Sequence, residues 1–210
     1  MTLRPALQAG RGFYLRRDVA GALCALLVLF GTSGPTPAAE QKPLTAILLI
    51  ARGELTDSSF ADSVVLVMNN LAPAPVGIIV NRPTPIAVSQ LFPGLKGVSQ
   101  LHDKLYFGGP VELDSVWFLF RAAKLPEHAI QAFDDIYLSA DRELLLQLLG
   151  RDKPMDGLRI FVGHAGWAPG QLEAEIGRGA WTAKRADSTA IFKGGAEHPW
   201  PGTQVPQHSI

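Results

Sequence analysis

The segment Gly163–Trp181 (GHAGWAPGQLEAEIGRGAW) holds the residues of this chain whose types and spacing could support chemistry. His164 stands at the end of a predicted strand, where an imidazole can act as an acid or a base near neutral pH. Glu173, on the helix predicted to follow, could orient that imidazole or could serve only as a solvated side chain. One hypothesis is therefore a hydrolase that uses His164 with Glu173.

The same segment could instead hold an anion. Gly166 and Gly170, on either side of Trp167, allow positive φ and close approach of the backbone. The backbone N–H groups of Gly170, Gln171 and Leu172 would point outward at the start of the following helix, and such groups can hold an anion. The alternative is a tight strand-to-helix turn in which Trp167 plugs the core. The patterns of phosphate-binding and dinucleotide-binding loops, GxxxxGK[ST] and GxGxxG, are missing.

Two further turns carry candidate ligand-binding residues. The arginine of Asn81-Arg82-Pro83 could bind a carboxylate or phosphate with its guanidinium fork, or it could pair internally with Glu112 or Glu173. Gly108-Gly109 could form a nest that faces a ligand, or a plain connection between strands. The candidate ligand-binding residues are Asn81, Arg82, Gly108, Gly109, His164, Gly166, Trp167, Gly170, Gln171 and Glu173.

Other catalytic and metal-binding patterns are missing from the sequence. Both HExxH and GxSxG are missing, and the histidines do not have metal-ligand spacing. Cys24, the only cysteine, lies inside an apolar run near the start of the chain. If that run is removed, no thiol is left for a disulfide, a nucleophile or a metal ligand. We therefore expect no cofactor and no metal, and we assign no catalytic residue.

Residues 1–39 have the layout of a secretory signal peptide. Four arginines precede an apolar run of twelve residues, Val19–Phe30, and small residues follow up to Ala39. Twelve residues are fewer than the roughly 20 that cross a bilayer as a helix. We therefore expect export to the periplasm with cleavage near residue 39. The alternatives are a membrane anchor at residues 19–30 and a cytosolic protein.

The charge of the chain bears on its partners. The whole sequence has 19 basic and 19 acidic residues, and residues 1–39 take away four basic residues and one acidic residue, which leaves a net charge of −3. A slightly acidic surface gives no electrostatic reason for direct nucleic-acid binding. The expected partner is an unknown protein or a small anionic ligand, with a membrane contact only through an uncleaved export segment.

Residues 40–193 are enough for one domain with its own core, and the tail 194–210, rich in proline and glycine, is predicted to be irregular. Strands that follow one another with few helices between them favour an α+β fold with a coiled, mostly antiparallel, barrel-like sheet. The predicted helices are Ile86–Leu91, Asp141–Gly150 and Gly170–Ile176. The predicted strands are Leu44–Ala51, Ser63–Asn69, Val76–Asn81, Lys104–Phe107, Ser115–Arg121, Phe133–Leu138, Leu158–Val162 and Thr189–Phe192.

Four signatures in order along the chain resemble those of the YqgE/AlgH family of bacterial proteins. They are Leu48–Ala51 with Asp57, Phe60 and Ser63–Leu66; Gly77–Pro83 (GIIVNRP); Tyr106–Val111 (YFGGPV); and Gly163–Trp181. The resemblance implies an α+β fold in which a coiled sheet packs against helices. It implies no settled biochemical activity, although members are often described as transcriptional regulators.

The chain departs from the family pattern in ways that affect the functional interpretation. Members usually start without a signal peptide and are taken as cytosolic, whereas residues 1–39 indicate export. Arg52-Gly53 replaces a usual proline, and Ala168 replaces a usual glycine. We therefore predict a non-enzymatic binding or adaptor protein of the cell envelope. A cytosolic regulator of gene expression acting through protein contacts is the alternative, and the hydrolase using His164 and Glu173 is a second one.

Overall fold

The computed structural model describes residues 46–52, 55, 58–68, 71, 73–95 and 97–193. The predicted export segment, residues 1–39, and the predicted irregular tail, residues 194–210, lie outside the described residues. Both stay predictions, as does the division of the chain into three parts.

Short strands dominate the described part of the chain. The strands are β1 Ala46–Ala51, β2 Val64–Met68, β3 Val76–Ile79, β4 Pro83–Ala87, β5 Lys104–Phe107, β6 Val111–Arg121, β7 Ile130–Phe133, β8 Ile136–Ser139, β9 Leu158–Gly166 and β10 Trp181–Arg185. The helices are α1 Val88–Leu91, α2 Arg142–Leu149, α3 Gln171–Gly177 and α4 Ser188–Lys193, and a 3-10 turn covers Ser58–Phe60.

The strands form one curled sheet in the order β10-β1-β2-β3-β9-β6-β8-β7, with β5 pairing both β4 and β9. The described pairs are antiparallel except β5 with β9, which run parallel with Tyr106 opposite Phe161. β9 lies at the junction, because it pairs with β3, β5 and β6. The sheet curls into a half-barrel with a few helices packed on it, which confirms the predicted α+β fold with a coiled, mostly antiparallel sheet.

Alternation along the strands divides the buried side chains into three clusters. The central cluster joins residues of β1, β2, β3, β6 and β9 to α4 and includes Leu48, Leu66, Ile78, Leu119, Phe161 and Ile191. The helix-side cluster lies under α1 and α2 and includes Val88, Phe118, Phe120, Leu145, Leu148 and Ile160. The tryptophan cluster lies under α3 and includes Leu49, Val65, Ile79, Trp167, Leu172 and Trp181.

Helix α2 begins and ends close to where its sequence predicts. Asp141 Oδ1 accepts a 2.8 Å hydrogen bond from Leu144 N, which satisfies one of the N–H groups that a first helical turn leaves free. At the other end, Gly150 N donates to Leu146 O at 3.1 Å. The buried leucines face the sheet, so α2 covers the helix-side cluster.

The predicted final strand, Thr189–Phe192, is wrong, because these residues belong to helix α4. Thr189 N donates a 2.9 Å hydrogen bond to Asp187 Oδ1, which stabilises the first turn of that helix. Ile191 enters the central cluster from α4. A short apolar run does not distinguish a strand from one turn of buried helix, and here tertiary packing selects the helix.

Two other predicted elements are corrected. Phe133–Leu138 is not one strand but the meeting of β7 and β8, with a turn in which Asp134 has φ 43°. Ile86–Leu91 is helical only from Val88, because Pro83–Ala87 forms strand β4 at the edge of the sheet beside β5. Strand β10, which begins at Trp181, is not among the predicted elements.

Candidate functional site

Three glycines let separate chain segments meet at β9. A Cβ atom on Gly108 would lie 2.3 Å from Gly163 O, and one on Gly163 would lie 2.3 Å from Gly109 O. Gly108 N donates to Val162 O at 2.8 Å, and Gly108 O accepts from Ile79 N at 2.8 Å. Gly108-Gly109 is therefore a buried connection where backbones touch, and it has the geometry of the plain connection rather than of an open nest.

Asn81 fastens the start of β2 to the end of β3. Its Oδ1 accepts a 2.9 Å hydrogen bond from Val64 N, and its Nδ2 donates to Asp62 O at 2.9 Å. Both polar atoms of the Asn81 side chain are therefore hydrogen-bonded within the fold, as is usual for polar groups in the interior of a protein.

Arg82 holds the neighbouring turn. Its Nη1 donates to Ser59 O at 2.6 Å and its Nη2 donates to Ala61 O at 2.7 Å. Neither Glu112 nor Glu173 pairs with this guanidinium, so the predicted internal ion pair is wrong. The guanidinium instead donates to the carbonyls of Ser59 and Ala61. These carbonyls lie in a tight turn, where no neighbouring strand of the described residues supplies a hydrogen-bond donor.

His164 does not meet Glu173, although the structure describes both residues. The ring of His164 lies edge-on to Trp117, with 5.8 Å between the centroids. Its buried Nδ1 has no hydrogen-bond partner among the described residues and lies 3.9 Å from Glu112 Oε2. Glu173 is exposed on α3, whose buried residues are Leu172 and Glu175. The predicted His164–Glu173 pair is therefore wrong.

Residues of the turn before α3 form hydrogen bonds with one another. Gly170 has φ 78°, and Gln171 N donates to Ala168 O at 3.0 Å. In return Gln171 Oε1 accepts from Ala168 N at 3.0 Å. Trp167 is 5% exposed, and its backbone N–H donates to Pro75 O at 3.2 Å. The segment is thus the tight strand-to-helix turn plugged by Trp167, and the N–H of Gln171 is not available to an anion.

Glu175 is not among the residues predicted from the sequence, yet it is the buried acid of the tryptophan cluster. Its Oε2 accepts from Trp167 Nε1 at 3.1 Å and from Trp181 Nε1 at 2.9 Å, and its Oε1 accepts from Gln171 Nε2 at 3.0 Å. Burial alone would raise the pKa of this carboxyl. The three hydrogen bonds and the charge of Arg178 outweigh burial and hold the pKa below its ordinary 4.5.

The backbones of the three predicted motifs do converge around β9. Phe107 N donates to Arg82 O at 2.8 Å, and the Arg82 guanidinium lies 5.6 Å from the centroid of the Phe107 ring. The side chains, however, serve the fold or point apart, and ligand binding by them stays a prediction. The residues engaged in the fold are Asn81, Arg82, Gly108, Gly109, Trp167 and Gln171. Of the remaining candidates, Gly166, Gly170 and Glu173 are exposed and His164 is partly buried.

A cavity of about 340 Å³ lies between β5, the end of β6, the start of β9 and helix α4, and none of the ten candidate residues lines it. Its lining includes the cations Lys104, Arg121 and Arg159 and the acids Asp103 and Asp156. None of these residues is among the predicted binding residues. The one sequence signal for it is Arg159, a lone cation inside the otherwise apolar strand LRIFV.

The described ranges contain neither a cluster of metal-ligand side chains nor a membrane-spanning helix. No group of three or more His, Cys, Asp or Glu side chains there is arranged to hold a metal ion. In the same part of the chain, no helix has the length and apolar character needed to cross a bilayer. The apolar run Val19–Phe30 lies outside it, so the second finding does not bear on the export segment.

The fold and the signatures define a class of small proteins in which a curled antiparallel sheet forms a half-barrel with few helices. Residues 48–204 match the model of the AlgH-like family, DUF179, and the chain belongs to this family. This confirms the family resemblance. Membership brings no established biochemical activity with it.

Relatives and solved structures agree with this assignment. A UPF0301 protein of Chlorobium luteolum is 35% identical over 167 residues, which cover 78% of this chain and 86% of the relative. One from Pelodictyon phaeoclathratiforme is 33% identical over 157 residues, covering 74% and 82%. The solution structure of AlgH from Pseudomonas aeruginosa is similar with a TM-score of 0.59 at 25% identity, covering 74% of this chain and 85% of that one. A crystal structure from Corynebacterium diphtheriae, with a TM-score of 0.56 at 24% identity over 74% and 82% of the two chains, supports the fold alone.

Proposed function

We propose that this protein is a non-enzymatic binding protein of the cell envelope. The observation that carries the binding role is that Asn81, Arg82 and Glu175 are used to hold the fold together. His164 and Glu173, the remaining acid–base candidates, do not pair with each other. The envelope location rests on the basic, apolar and small-residue pattern of residues 1–39.

Glu175 illustrates why binding is favoured over catalysis at the signature. A general base needs an accessible lone pair and a pKa near the working pH. Both oxygens of Glu175 already accept hydrogen bonds, and its pKa is held below the ordinary value. Asn81 and Arg82 are likewise occupied by backbone partners. These residues form a rigid frame that can present a surface or a cavity to a partner.

Fractionation of the full chain tests the location. The chain is produced with a C-terminal tag in a Gram-negative host, and its soluble periplasmic form is subjected to N-terminal sequencing. We expect a start near residue 40. The control is Leu27→Arg, which places a charge in the apolar run and should leave the uncleaved chain in the cytosol. Uncleaved wild-type chain in the cytosol would contradict the envelope location and favour the cytosolic regulator.

A turnover assay tests the non-enzymatic part. The purified chain and its His164→Gln variant are incubated with p-nitrophenyl acetate, and release of p-nitrophenol is followed against a buffer blank. We expect the two proteins to give the same slow background rate. Saturable turnover by the wild type that the substitution abolishes would establish a hydrolase and overturn this part of the proposal.

A further inference from the structure

The cavity beneath α4 has an arginine fixed in its floor. Arg159 comes from the buried strand β9 and is only 7% exposed. Its guanidinium lies 4.3 Å from the centroid of the Tyr106 ring. Its Nη1 donates to Val80 O at 3.2 Å, and its Nη2 donates to Phe192 O at 3.4 Å. Strand, ring and two carbonyl oxygens thus hold this cation in one orientation toward the cavity that it lines.

The surroundings of Arg159 strengthen any interaction with an anion. Burial lowers the pKa of its guanidinium from the ordinary value, while the electrostatic interaction with Tyr106 acts in the opposite direction. An arginine stays protonated at neutral pH even so. Because a buried charge is poorly screened by water, an oxyanion that enters the cavity would be attracted more strongly than at an exposed arginine.

A second arginine stands at the rim. Arg121, the last residue of β6, donates from Nη2 to Ser188 Oγ at 2.6 Å, and its Nε lies 3.4 Å from Asp135 Oδ2. Its guanidinium is 5.8 Å from the centroid of the Phe192 ring. Ser188 and Thr189 line the cavity from the first turn of α4. The rim therefore combines a held cation, hydroxyl groups and the face of an aromatic ring.

The cavity has the size and chemistry of a small-molecule site. Its volume of about 340 Å³ is within the range of known ligand pockets, which begin at about 300 Å³. The lining has three cations against two acids, Asp103 and Asp156, so it carries a positive excess in a chain whose net charge is zero. Tyr106, Met155 and Phe192 supply apolar surface beside the charges.

We propose that this cavity binds a small organic anion, with its carboxylate or phosphate between Arg159 and Arg121 and its apolar part against Phe192 and Tyr106. The inference rests on the binding role proposed above and gives it a site and a ligand class. Guanidinium groups suit this task because their planar donors match the oxygens of carboxylates and phosphates.

Matched probes test the ligand class. The purified chain is titrated with benzoate, phenyl phosphate and neutral benzamide by calorimetry at constant ionic strength, since salt screens such contacts. The Nε–H signals of the arginines are followed by NMR. We expect saturable binding of benzoate or phenyl phosphate, at least about tenfold tighter than benzamide, with the Arg121 and Arg159 signals shifting together. The preferred probe separates a carboxylate from a phosphate ligand.

Two arginine variants test the site. Arg121→Gln removes the rim charge and should weaken the better anion about tenfold, because a charge-assisted hydrogen bond is lost. Arg142→Gln, which removes an exposed arginine of α2 that is paired only with Glu143, is the control and should bind like the wild type. Arg159→Lys keeps the charge but loses the planar fork, and calorimetry on folded protein should again show weaker binding.

Equal affinity for benzoate, phenyl phosphate and benzamide would overturn the proposal, and so would no binding at all or equal weakening by Arg121→Gln and Arg142→Gln. These results are independent of the location and turnover experiments. A cytosolic chain could still bind the anion in this cavity, and an exported chain could fail to bind it.

Discussion

The indole N–H of Trp181 donates a 2.9 Å hydrogen bond to Oε2 of Glu175, the same oxygen that accepts from Trp167. The two indoles are also edge-on to each other at 6.2 Å between ring centroids. Phe60 packs 5.9 Å from both rings, and the turn that carries it is held by Arg82. One carboxylate therefore ties α3 and β10 to the strand-to-helix turn, and Phe60 packs the loop before β2 against the same two indoles.

Replacing Glu175 should destabilise the whole fold. Glu175→Gln keeps the shape but loses the charge, so at least one indole N–H loses a charge-assisted bond inside the tryptophan cluster. We expect the free energy of unfolding to fall by about 2 kcal/mol. Urea unfolding followed by tryptophan fluorescence measures it. The control Glu173→Gln, on the exposed side of the same helix, should change it by less than about 0.5 kcal/mol. Equal effects of the two substitutions would contradict the role of Glu175.

The pKa of the Glu175 carboxyl leads us to expect that the stability of the fold depends on pH. Its pKa in the folded protein is below the ordinary 4.5 that applies to the unfolded chain, so its ionised form stabilises the fold. That contribution is fully present above about pH 4.5 and is lost as the pH falls through the lower folded value.

Urea unfolding of wild type and Glu175→Gln at several pH values isolates this contribution from those of other carboxylates. We expect the wild type to be more stable at pH 7 and the difference to shrink steadily below pH 4.5. A difference that is constant between pH 7 and pH 3 would show that Glu175 ionisation does not stabilise the fold.

The glycines of β9 give a prediction about packing. Gly163→Ala should lower the free energy of unfolding by about 3 kcal/mol or prevent folding, because φ is 70° and the new Cβ would lie 2.3 Å from Gly109 O. Gly166→Ala, in the same strand, is the control, since its Cβ would meet only Val111 Cγ2 at an ordinary 3.9 Å. Thermal unfolding and soluble yield of the two variants compare the effects. A stable Gly163→Ala protein would refute the close contact.

Asn81 and Arg82 should both stabilise the same loop, the one before β2. Arg82→Ala removes two hydrogen bonds to backbone carbonyls and should cost about 2 kcal/mol. Asn81→Asp keeps an acceptor for Val64 N but cannot donate to Asp62 O, so a smaller loss of about 1 kcal/mol is expected.

Hydrogen exchange separates a local effect from a general one. In Asn81→Ala the amide of Val64 loses its acceptor, so it should exchange faster than its neighbours in β2. Arg151→Ala, at an exposed arginine after α2, is the control for loss of charge and should leave both stability and exchange unchanged. Uniform acceleration of exchange across the sheet would contradict a local role for Asn81.

The sequence by itself determined the fold class, the family and most of the elements, because these depend on local patterns. Apolar runs of strand length and the leucine spacing of α2 are periodicities that burial enforces. The glycines at 108, 109 and 163 belong to recognisable signatures, since only a residue without Cβ fits where two backbones touch. For Trp167 the sequence leaves two interpretations, a ligand-binding residue and a plug of the core, and its 5% exposure agrees with the plug.

The tertiary structure alone decided which polar side chains face each other. The direction of α3 selected Glu175 rather than Glu173 as the buried acid, and the curl of the sheet turned His164 toward Glu112. Neither direction is encoded in a short stretch of sequence. The cavity is the clearest case, because Arg121 and Arg159 come from different strands and α4 has to fold across them. Which side chains are buried and hydrogen-bonded depends on the packing of all the elements together. That packing therefore decides which of these side chains stabilise the fold and which line a candidate site.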